Sequence, residues 1–143
     1  MNKLILLADD DHDDADLFRE ALTRTDLPAV LHHAEDAHTL FKILDSLNTR
    51  KPDIIFLDIN MPKIDGWECL GMLKKHADHG DIPVVMFTTS SVLRDKEMAV
   101  ESGAIGLITK PSDFRMLINI LTRIVSSDAT DLKEVIAHIA SAR

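Results

Sequence analysis

Residues 54–62 read IIFLDINMP, an unbroken apolar run followed by one aspartate and a loop that contains proline. A second run of this kind, VVMF, occupies residues 84–87. An unbroken apolar run predicts a strand that is buried on both faces, as the central strands of a parallel sheet are. We therefore interpret both runs as central strands of a sheet with helices on each side.

Short apolar runs recur five times along the chain, and segments with the 3.6-residue periodicity of amphipathic helices separate them. The predicted strands are Lys3–Ala8, Ala29–His33, Asp53–Leu57, Pro83–Thr88 and Ala104–Thr109. The predicted helices contain Leu17–Leu22, Leu40–Leu47, Trp67–His76, Leu93–Ser102 and Phe114–Val125. Five βα units with short right-handed crossovers predict an α/β domain that has a doubly wound parallel sheet.

A further amphipathic segment follows the fifth βα unit. Its apolar residues recur at helical spacing: Leu132, Val135, Ile136 and Ile139. We expect a domain over residues 1–126 and a helical extension with a short extra C-terminal helix over residues 127–143. The simplest interpretation is that this helix packs on its own domain, and the alternative is an oligomerisation or partner helix. No chain follows Arg143, so we expect no fused output domain.

The composition bounds the classes of function. A chain of 143 residues with 45% hydrophobic residues has the size and apolar content of one soluble globular domain. Its longest apolar stretches are far shorter than the roughly 20 residues that span a bilayer, and no signal peptide is evident. The net charge of −8 disfavours nucleic-acid binding, because phosphate backbones are also negative. Cys69 is the single cysteine, which fits a cytoplasmic protein.

Polar residues follow four of the five predicted strands. They are Asp9 and Asp10 after the first strand, Asp58 after the third, Thr88 and Thr89 at the end of the fourth, and Lys110 after the fifth. In open parallel sheets, ligands bind at the carboxyl ends of the strands, near the point where the strand order reverses. We therefore expect these side chains to form one site.

Three carboxylates at one site carry a charge of about −3, which is unfavourable unless cations compensate it. Mg²⁺ prefers oxygen ligands and keeps coordination positions for water and phosphate oxygens. Mg²⁺ and Lys110 together bring the charge to about zero, and the backbone carbonyl of Asn60 is a further candidate ligand. Such a site suits phosphoryl transfer onto Asp58, with Lys110 and the Thr88 hydroxyl stabilising the phosphoryl oxygens.

The segment FLDINMPKIDG, residues 56–66, resembles the phosphoacceptor loop of bacterial response-regulator receiver domains. The early acidic pair, the segment PVVMFT at residues 83–88 and the dipeptide Lys110-Pro111 match that family in order and spacing. The resemblance extends from residue 3 to about residue 125. Residues 6–22 are also similar to the single-domain regulators that are paired with bacterial phytochromes.

The resemblance implies a flavodoxin-like (βα)₅ fold with strand order 2-1-3-4-5. It implies that Asp58 accepts a phosphoryl group from a histidine kinase or phosphotransfer histidine, with Mg²⁺ held by Asp9 or Asp10, Asp58 and Asn60. It also implies a Lys110–Pro111 bond that is often cis. Such a protein signals through contacts with a downstream protein, with a homodimer as one arrangement, and it catalyses only its own phosphorylation and dephosphorylation. It is therefore not expected to be an enzyme.

One position departs from the pattern, because many receivers have Tyr or Phe where this chain has Leu107. This departure leaves open a phosphorylation-independent binding module. A phosphatase that forms an aspartyl phosphate is a third alternative, but its acid–base aspartate would occupy the position of Asn60.

Two other groups of residues receive structural interpretations. Four aspartates are predicted to form a solvated first turn of the first helix, favoured by the helix dipole, and not to be ligands: Asp11, Asp13, Asp14 and Asp16. His32 and His33 are adjacent on a strand and point to opposite faces, and His76 and His79 suit a loop or a helix end. We therefore expect no zinc site.

Overall fold

The computed structural model describes residues 2–47 and 50–141. Its strands are β1 (Lys3–Ala8), β2 (Ala29–Ala34), β3 (Ile54–Leu57), β4 (Val84–Thr88) and β5 (Gly106–Thr109). Its helices are α1 (His12–Arg24), α2 (Ala37–Ser46), α3 (Gly66–Lys75), α4 (Leu93–Glu101), α5 (Phe114–Ser126) and α6 (Leu132–Ser141). The five strands form one parallel sheet in the order β2-β1-β3-β4-β5, which confirms the predicted fold.

Both faces of the sheet are buried, as the unbroken apolar runs predict. Ile54 and Phe56 of β3 point into a core formed with α1, α5 and α6, whereas Ile55 and Leu57 point into a second core formed with α2, α3 and α4. Because successive side chains of a strand point to opposite faces, a strand covered on both sides must be apolar throughout. The unbroken apolar run IIFL is therefore a consequence of the central position of β3 in the sheet.

Three strands begin later than the sequence predicts, and the first of them, β3, begins at Ile54 and not at Asp53. The β4 ladder begins at Val84, since Pro83 has no backbone N–H to donate, although its carbonyl oxygen accepts from Ile55 at 2.9 Å. The Ala104 backbone N–H donates to the Ala99 carbonyl oxygen at 2.9 Å, so Ala104 belongs to the end of α4 and not to β5. Gly103 between them has a φ of 102°, a conformation that favours glycine.

The C-terminal helix α6 packs on its own domain, next to β5 and α5. Ile136 is fully buried, and Leu132 and Ile139 belong to the same core as α1 and α5. The approach to β5 is close, because a Cβ atom on Gly106 would lie 2.8 Å from Cγ2 of Ile136. None of the helices in the described part of the chain has the length and apolar character needed to cross a bilayer.

Candidate functional site

Two aspartates lie side by side at the carboxyl end of the sheet, where β1 and β3 are neighbours. Ala8 pairs with Leu57, and the backbone N–H of Asp58 donates to the Ala8 carbonyl oxygen at 3.0 Å. Asp9 and Asp58 therefore leave their strands at the same level, and both are buried. The chain places β2 on one side of β1 and β3 on the other, so this is the point where the strand order reverses.

Asp10 is exposed at the rim of the same site. One carboxylate oxygen from each of Asp9, Asp10 and Asp58 lies within 4.8 Å of the other two. Within residues 2–47 and 50–141, no other group of three metal-ligating side chains has such spacing. The structure thus brings the three predicted carboxylates together, and a set of oxygen ligands at this spacing fits a divalent cation.

Lys110 reaches the acidic site from the end of β5. Its backbone N–H donates to the Thr88 carbonyl oxygen at 2.7 Å, which fixes the start of the side chain at the sheet edge. The ammonium nitrogen lies 2.8 Å from Oδ2 of Asp9 and 3.2 Å from Oδ2 of Asp58. The Lys110–Pro111 bond is trans in the structure, not cis.

Burial and charge act in opposite directions on the two ends of this ion pair. Burial raises the pKa of the Asp9 carboxyl above its ordinary value, and the hydrogen bond from Lys110 offsets part of that effect. Burial also acts to lower the pKa of Lys110, but its bonds to Asp9 and Asp14 and the charge of Asp58 outweigh this and raise it. These contacts therefore favour the protonated, cationic form of Lys110 in the site.

Asp14 also contacts Lys110, which the sequence interpretation missed. Oδ2 of Asp14 lies 2.9 Å from the ammonium nitrogen of Lys110. Asp11 is the N-cap of α1, and its side chain accepts from the Asp14 backbone N–H at 3.1 Å. Asp11, Asp13 and Asp16 are exposed, as expected for a solvated first turn, whereas Asp14 is about two-thirds buried in an ion pair.

Thr88 is the last residue of β4, which is the strand next to β3. Its side chain is fully buried, and its hydroxyl has no hydrogen-bond partner. A buried polar group without a partner costs about 1–3 kcal/mol, so this hydroxyl suits an oxygen atom of a ligand. The neighbouring Thr89 is exposed.

The loop after Asp58 is held in a tight arc. The Gly66 backbone N–H donates to the Ile59 carbonyl oxygen at 2.7 Å, which closes the loop at the start of α3. A Cβ atom on Gly66 would lie 2.2 Å from the carbonyl oxygen of Asp58, so the chain needs glycine there. Asn60 lies within this arc with an exposed side chain, and its carbonyl stays the predicted fourth ligand.

The loop between β4 and α4 is tied to its surroundings by side chains that sequence reasoning did not single out for this role. The Thr109 hydroxyl donates to the Ser90 carbonyl oxygen at 2.8 Å, and the Ser90 hydroxyl donates to the carboxylate of Asp95 in the first turn of α4. Leu107, at the position of the family's aromatic residue, is buried in the core on the α4 side of the sheet.

Three histidines make contacts with neighbouring groups in the described residues. His33 is hydrogen-bonded through Nε2 to the Asp9 carbonyl oxygen at 2.8 Å, a contact that the end of the predicted second strand did not signal. His76 and His79 stack with ring centroids 4.0 Å apart after α3. They lie outside the acidic group that could hold a metal ion.

The chain is similar to known signalling proteins. A family model described as the response regulator receiver domain matches residues 5–122. The alkaline phosphatase synthesis transcriptional regulatory protein PhoP of Bacillus subtilis is 33% identical over 111 residues, which are 78% of this chain and 43% of PhoP. The sensory transduction protein BceR of Halalkalibacterium halodurans is 29% identical over 90% of this chain and 55% of BceR. The chain thus spans about half the length of these curated relatives.

Solved structures of response regulators have the same fold. The Mn²⁺-bound form of response regulator Rcp1 aligns with a TM-score of 0.77 at 30% identity, over 88% of this chain and 96% of that one. The phosphorylated cyanobacterial phytochrome response regulator RcpA aligns with a TM-score of 0.75 at 30% identity, over 85% of this chain and 90% of that one. The bacteriophytochrome response regulator AtBRR aligns with a TM-score of 0.72 at 27% identity.

Proposed function

The chain belongs to the response-regulator receiver domain family, and on this premise we propose that it accepts a phosphoryl group onto Asp58. The donor is a histidine kinase or a phosphotransfer protein with a phosphohistidine. One observation carries the proposal: Asp58 is buried, contacts the Lys110 ammonium group and lies within 4.8 Å of the carboxylates of Asp9 and Asp10. The unsatisfied hydroxyl of Thr88 ends the neighbouring strand β4.

Each residue of the site has a distinct role in the proposed reaction. A carboxylate oxygen of Asp58 forms a bond to phosphorus while the bond between phosphorus and the donor's leaving atom breaks, and the leaving group keeps that electron pair and takes a proton from solvent. We expect Lys110 and the Thr88 hydroxyl to donate to the phosphoryl oxygens, which the contact of Lys110 with Asp58 and the absence of a partner for the Thr88 hydroxyl among the described residues support.

Asp9, Asp10, Asp58 and the carbonyl of Asn60 are the groups that would hold Mg²⁺. When bound there, the ion offsets the negative charge of the carboxylates and of the phosphoryl oxygens. The acidic group supports a divalent cation in general, and the structure of the homologue Rcp1 was solved in a Mn²⁺-bound form. We propose Mg²⁺ as the ion that this chain uses.

The protein acts as a switch and not as a turnover enzyme. It catalyses only its own phosphorylation and dephosphorylation, and its signal passes through contacts with a downstream protein or within a homodimer. The encounter with the kinase takes place in the cytoplasm, where the kinases that serve this family present their phosphohistidine. The position of Asn60 argues against a phosphatase, since an amide cannot transfer the proton that such an enzyme requires.

The proposal is tested by the mass of the intact protein after incubation with acetyl phosphate, in excess Mg²⁺ and in EDTA. We expect one phosphoryl adduct that requires Mg²⁺ and disappears in Asp58→Asn. Asp16→Asn removes the same charge from an exposed position of α1 and should be labelled like the wild type. Labelling of Asp58→Asn would move the acceptor elsewhere.

The two alternative functions predict different results. A protein that stays unlabelled by acetyl phosphate and also by a phosphorylated histidine kinase would be a binding module that works without phosphorylation. Release of phosphate from a monoester over many turnovers would identify a phosphatase.

A further inference from the structure

The ammonium group of Lys110 uses all three of its N–H donors on carboxylates. Its nitrogen lies 2.8 Å from Asp9, 2.9 Å from Asp14 and 3.2 Å from Asp58. Two of these partners, Asp9 and Asp58, belong to the group of carboxylates that fits a divalent cation, whereas Asp14 lies outside it. Asp14 is therefore the one carboxylate partner of Lys110, among the described residues, that is not also a candidate ligand of the cation.

The position of Asp14 is fixed from two sides. Its backbone N–H is bonded to the side chain of Asp11 at the start of α1, and its carboxylate is bonded to Lys110 across the site. Side-chain exposures of 36% for Asp14 and 11% for Lys110 place this contact at the boundary of the buried site. A charge-assisted hydrogen bond at such a boundary is less screened than one between two fully exposed side chains.

The contact matters most after the cation and the phosphoryl donor have bound. A cation drawn to Asp9 and Asp58 competes with Lys110 for their oxygens and repels its ammonium group. The lysine must nevertheless remain near Asp58, where the phosphoryl oxygens arrive. Of the three carboxylates that Lys110 contacts, only Asp14 can attract the ammonium group without also serving as a ligand of the cation.

We propose that Asp14 is a positioning residue that retains Lys110 in the site while the other two carboxylates hold the cation and receive the phosphoryl group. The inference rests on the proposed function. It distinguishes Asp14 from its neighbours Asp13 and Asp16, which are exposed on the same helix and carry the same charge.

The test is the rate of phosphorylation by acetyl phosphate at a Mg²⁺ concentration shown by titration to be saturating for each variant. Asp14→Ala should slow the reaction about three- to tenfold, the effect of losing one partly screened charge-assisted contact. Asp14→Glu keeps the carboxylate and should restore the rate to within about twofold, whereas Asp14→Asn keeps only a neutral acceptor and should fall between them. Asp13→Ala and Asp16→Ala are the matched controls and should react like the wild type.

Two further measurements test the contact, and the first of them needs neither metal nor donor. In EDTA, the changes in melting temperature caused by Asp14→Ala and Lys110→Ala should not add up to the change in the double variant, because the two side chains are in direct contact.

The second measurement is kinetic. The phosphorylation rate of Lys110→Ala should be unaffected by the further change Asp14→Ala. A purely structural role of Asp14 would instead slow the reaction equally in both backgrounds.

The outcomes distinguish a failure of the proposed function from a failure of the role proposed for Asp14. If the wild type is not labelled at Asp58, the proposed function fails and the inference falls with it. If the wild type is labelled but Asp14→Ala reacts at the same rate, or if Asp16→Ala slows the reaction as much, the proposed function stands and the role of Asp14 is refuted. Failure of Asp14→Glu to restore the rate would likewise refute it.

Discussion

The charge of Asp58 should make the protein less stable without a divalent cation and more stable with one. Without the cation, the site holds four carboxylates and one ammonium group, since Asp10 lies near Asp9 and Asp58, and Lys110 contacts Asp9, Asp14 and Asp58. The substitution Asp58→Asn removes one of these charges and keeps an oxygen that can accept from Lys110. We therefore expect Asp58→Asn to be more stable than the wild type in EDTA.

The distances set the size of the effect. Asp58 lies within 4.8 Å of a carboxylate oxygen of Asp9 and of Asp10, and 3.2 Å from the ammonium nitrogen of Lys110. At an effective dielectric constant near 20, each repulsion costs about 3.5 kcal/mol and the attraction contributes about 5 kcal/mol. Because Asp10 is exposed, solvent screening reduces its share. With the full share of Asp10 the net gain from Asp58→Asn would be about 2 kcal/mol, so with screening it is at most about 2 kcal/mol, or at most about 7 °C in melting temperature for a chain of this size.

At saturating Mg²⁺ the wild type should be more stable than Asp58→Asn, the reverse of the order expected in EDTA. A ligand present at about 100 times its dissociation constant stabilises the folded state by about 2.7 kcal/mol, and Asp58→Asn has lost one of the ligands that would hold the ion. The wild type should therefore gain more than the variant does. At saturation it should melt at the higher temperature.

Thermal unfolding followed by circular dichroism, at neutral pH in EDTA and in a series of Mg²⁺ concentrations, measures both effects. Asp16→Asn controls for the loss of one negative charge from the whole protein and should respond to Mg²⁺ like the wild type. A variant Asp58→Asn that melts below the wild type in EDTA would show that the attraction of Lys110 outweighs the repulsion. That result would refute the reasoning.

Three further predictions concern packing and reactivity. Gly66→Ala should lower the free energy of unfolding by more than about 3 kcal/mol in urea titrations, because its Cβ would lie 2.2 Å from a backbone oxygen of Asp58; a smaller loss would mean that the loop can relax. Gly106→Ala should cost about 1–3 kcal/mol through its contact with Ile136, and the same change should cost much less in an Ile136→Ala background, so additive losses would contradict the contact. Burial raises the pKa of the Cys69 thiol to about 12, so the native protein should resist alkylation by iodoacetamide at neutral pH, and rapid labelling detected by mass would contradict its burial.

The central part of the fold is predictable from the sequence because a strand that is buried on both faces has an unbroken run of apolar residues. The runs IIFL and VVMF are unbroken since no side of β3 or β4 reaches water, and the polar residue after each run marks the edge where ligands bind. The carboxyl ends of parallel strands meet at one edge, so Asp9, Asp58 and Lys110 must come together once the strand order is known.

The position of Asp14 could not be predicted in the same way. Four aspartates crowd the start of α1, and the sequence interpretation did not use the one feature that separates them, which is that Asp14 lies four residues before Phe18 and so on the apolar face of the helix. The distinction depends on the rotation of the helix about its axis, which is set by how Ala15 and Phe18 pack in the core. Similarly, the periodicity of α6 left open whether it packs on its own domain, and the observed contact depends on the missing side chain of Gly106.

Polar contacts around the loop between β4 and α4 connect the acidic site to α4, which meets α6 at the β5 edge of the sheet. Leu107 has no polar end, so its contribution is limited to packing in the core. The polar contacts run instead from Thr109 to the Ser90 carbonyl and from the Ser90 hydroxyl to Asp95 in the first turn of α4. One residue further along α4, the ammonium group of Lys96 donates to the carbonyl oxygen of Ala140 in α6 at 3.2 Å. A displacement of this loop when the Thr88 hydroxyl gains a partner would therefore act on α4 directly and on α6 through it, without an aromatic side chain.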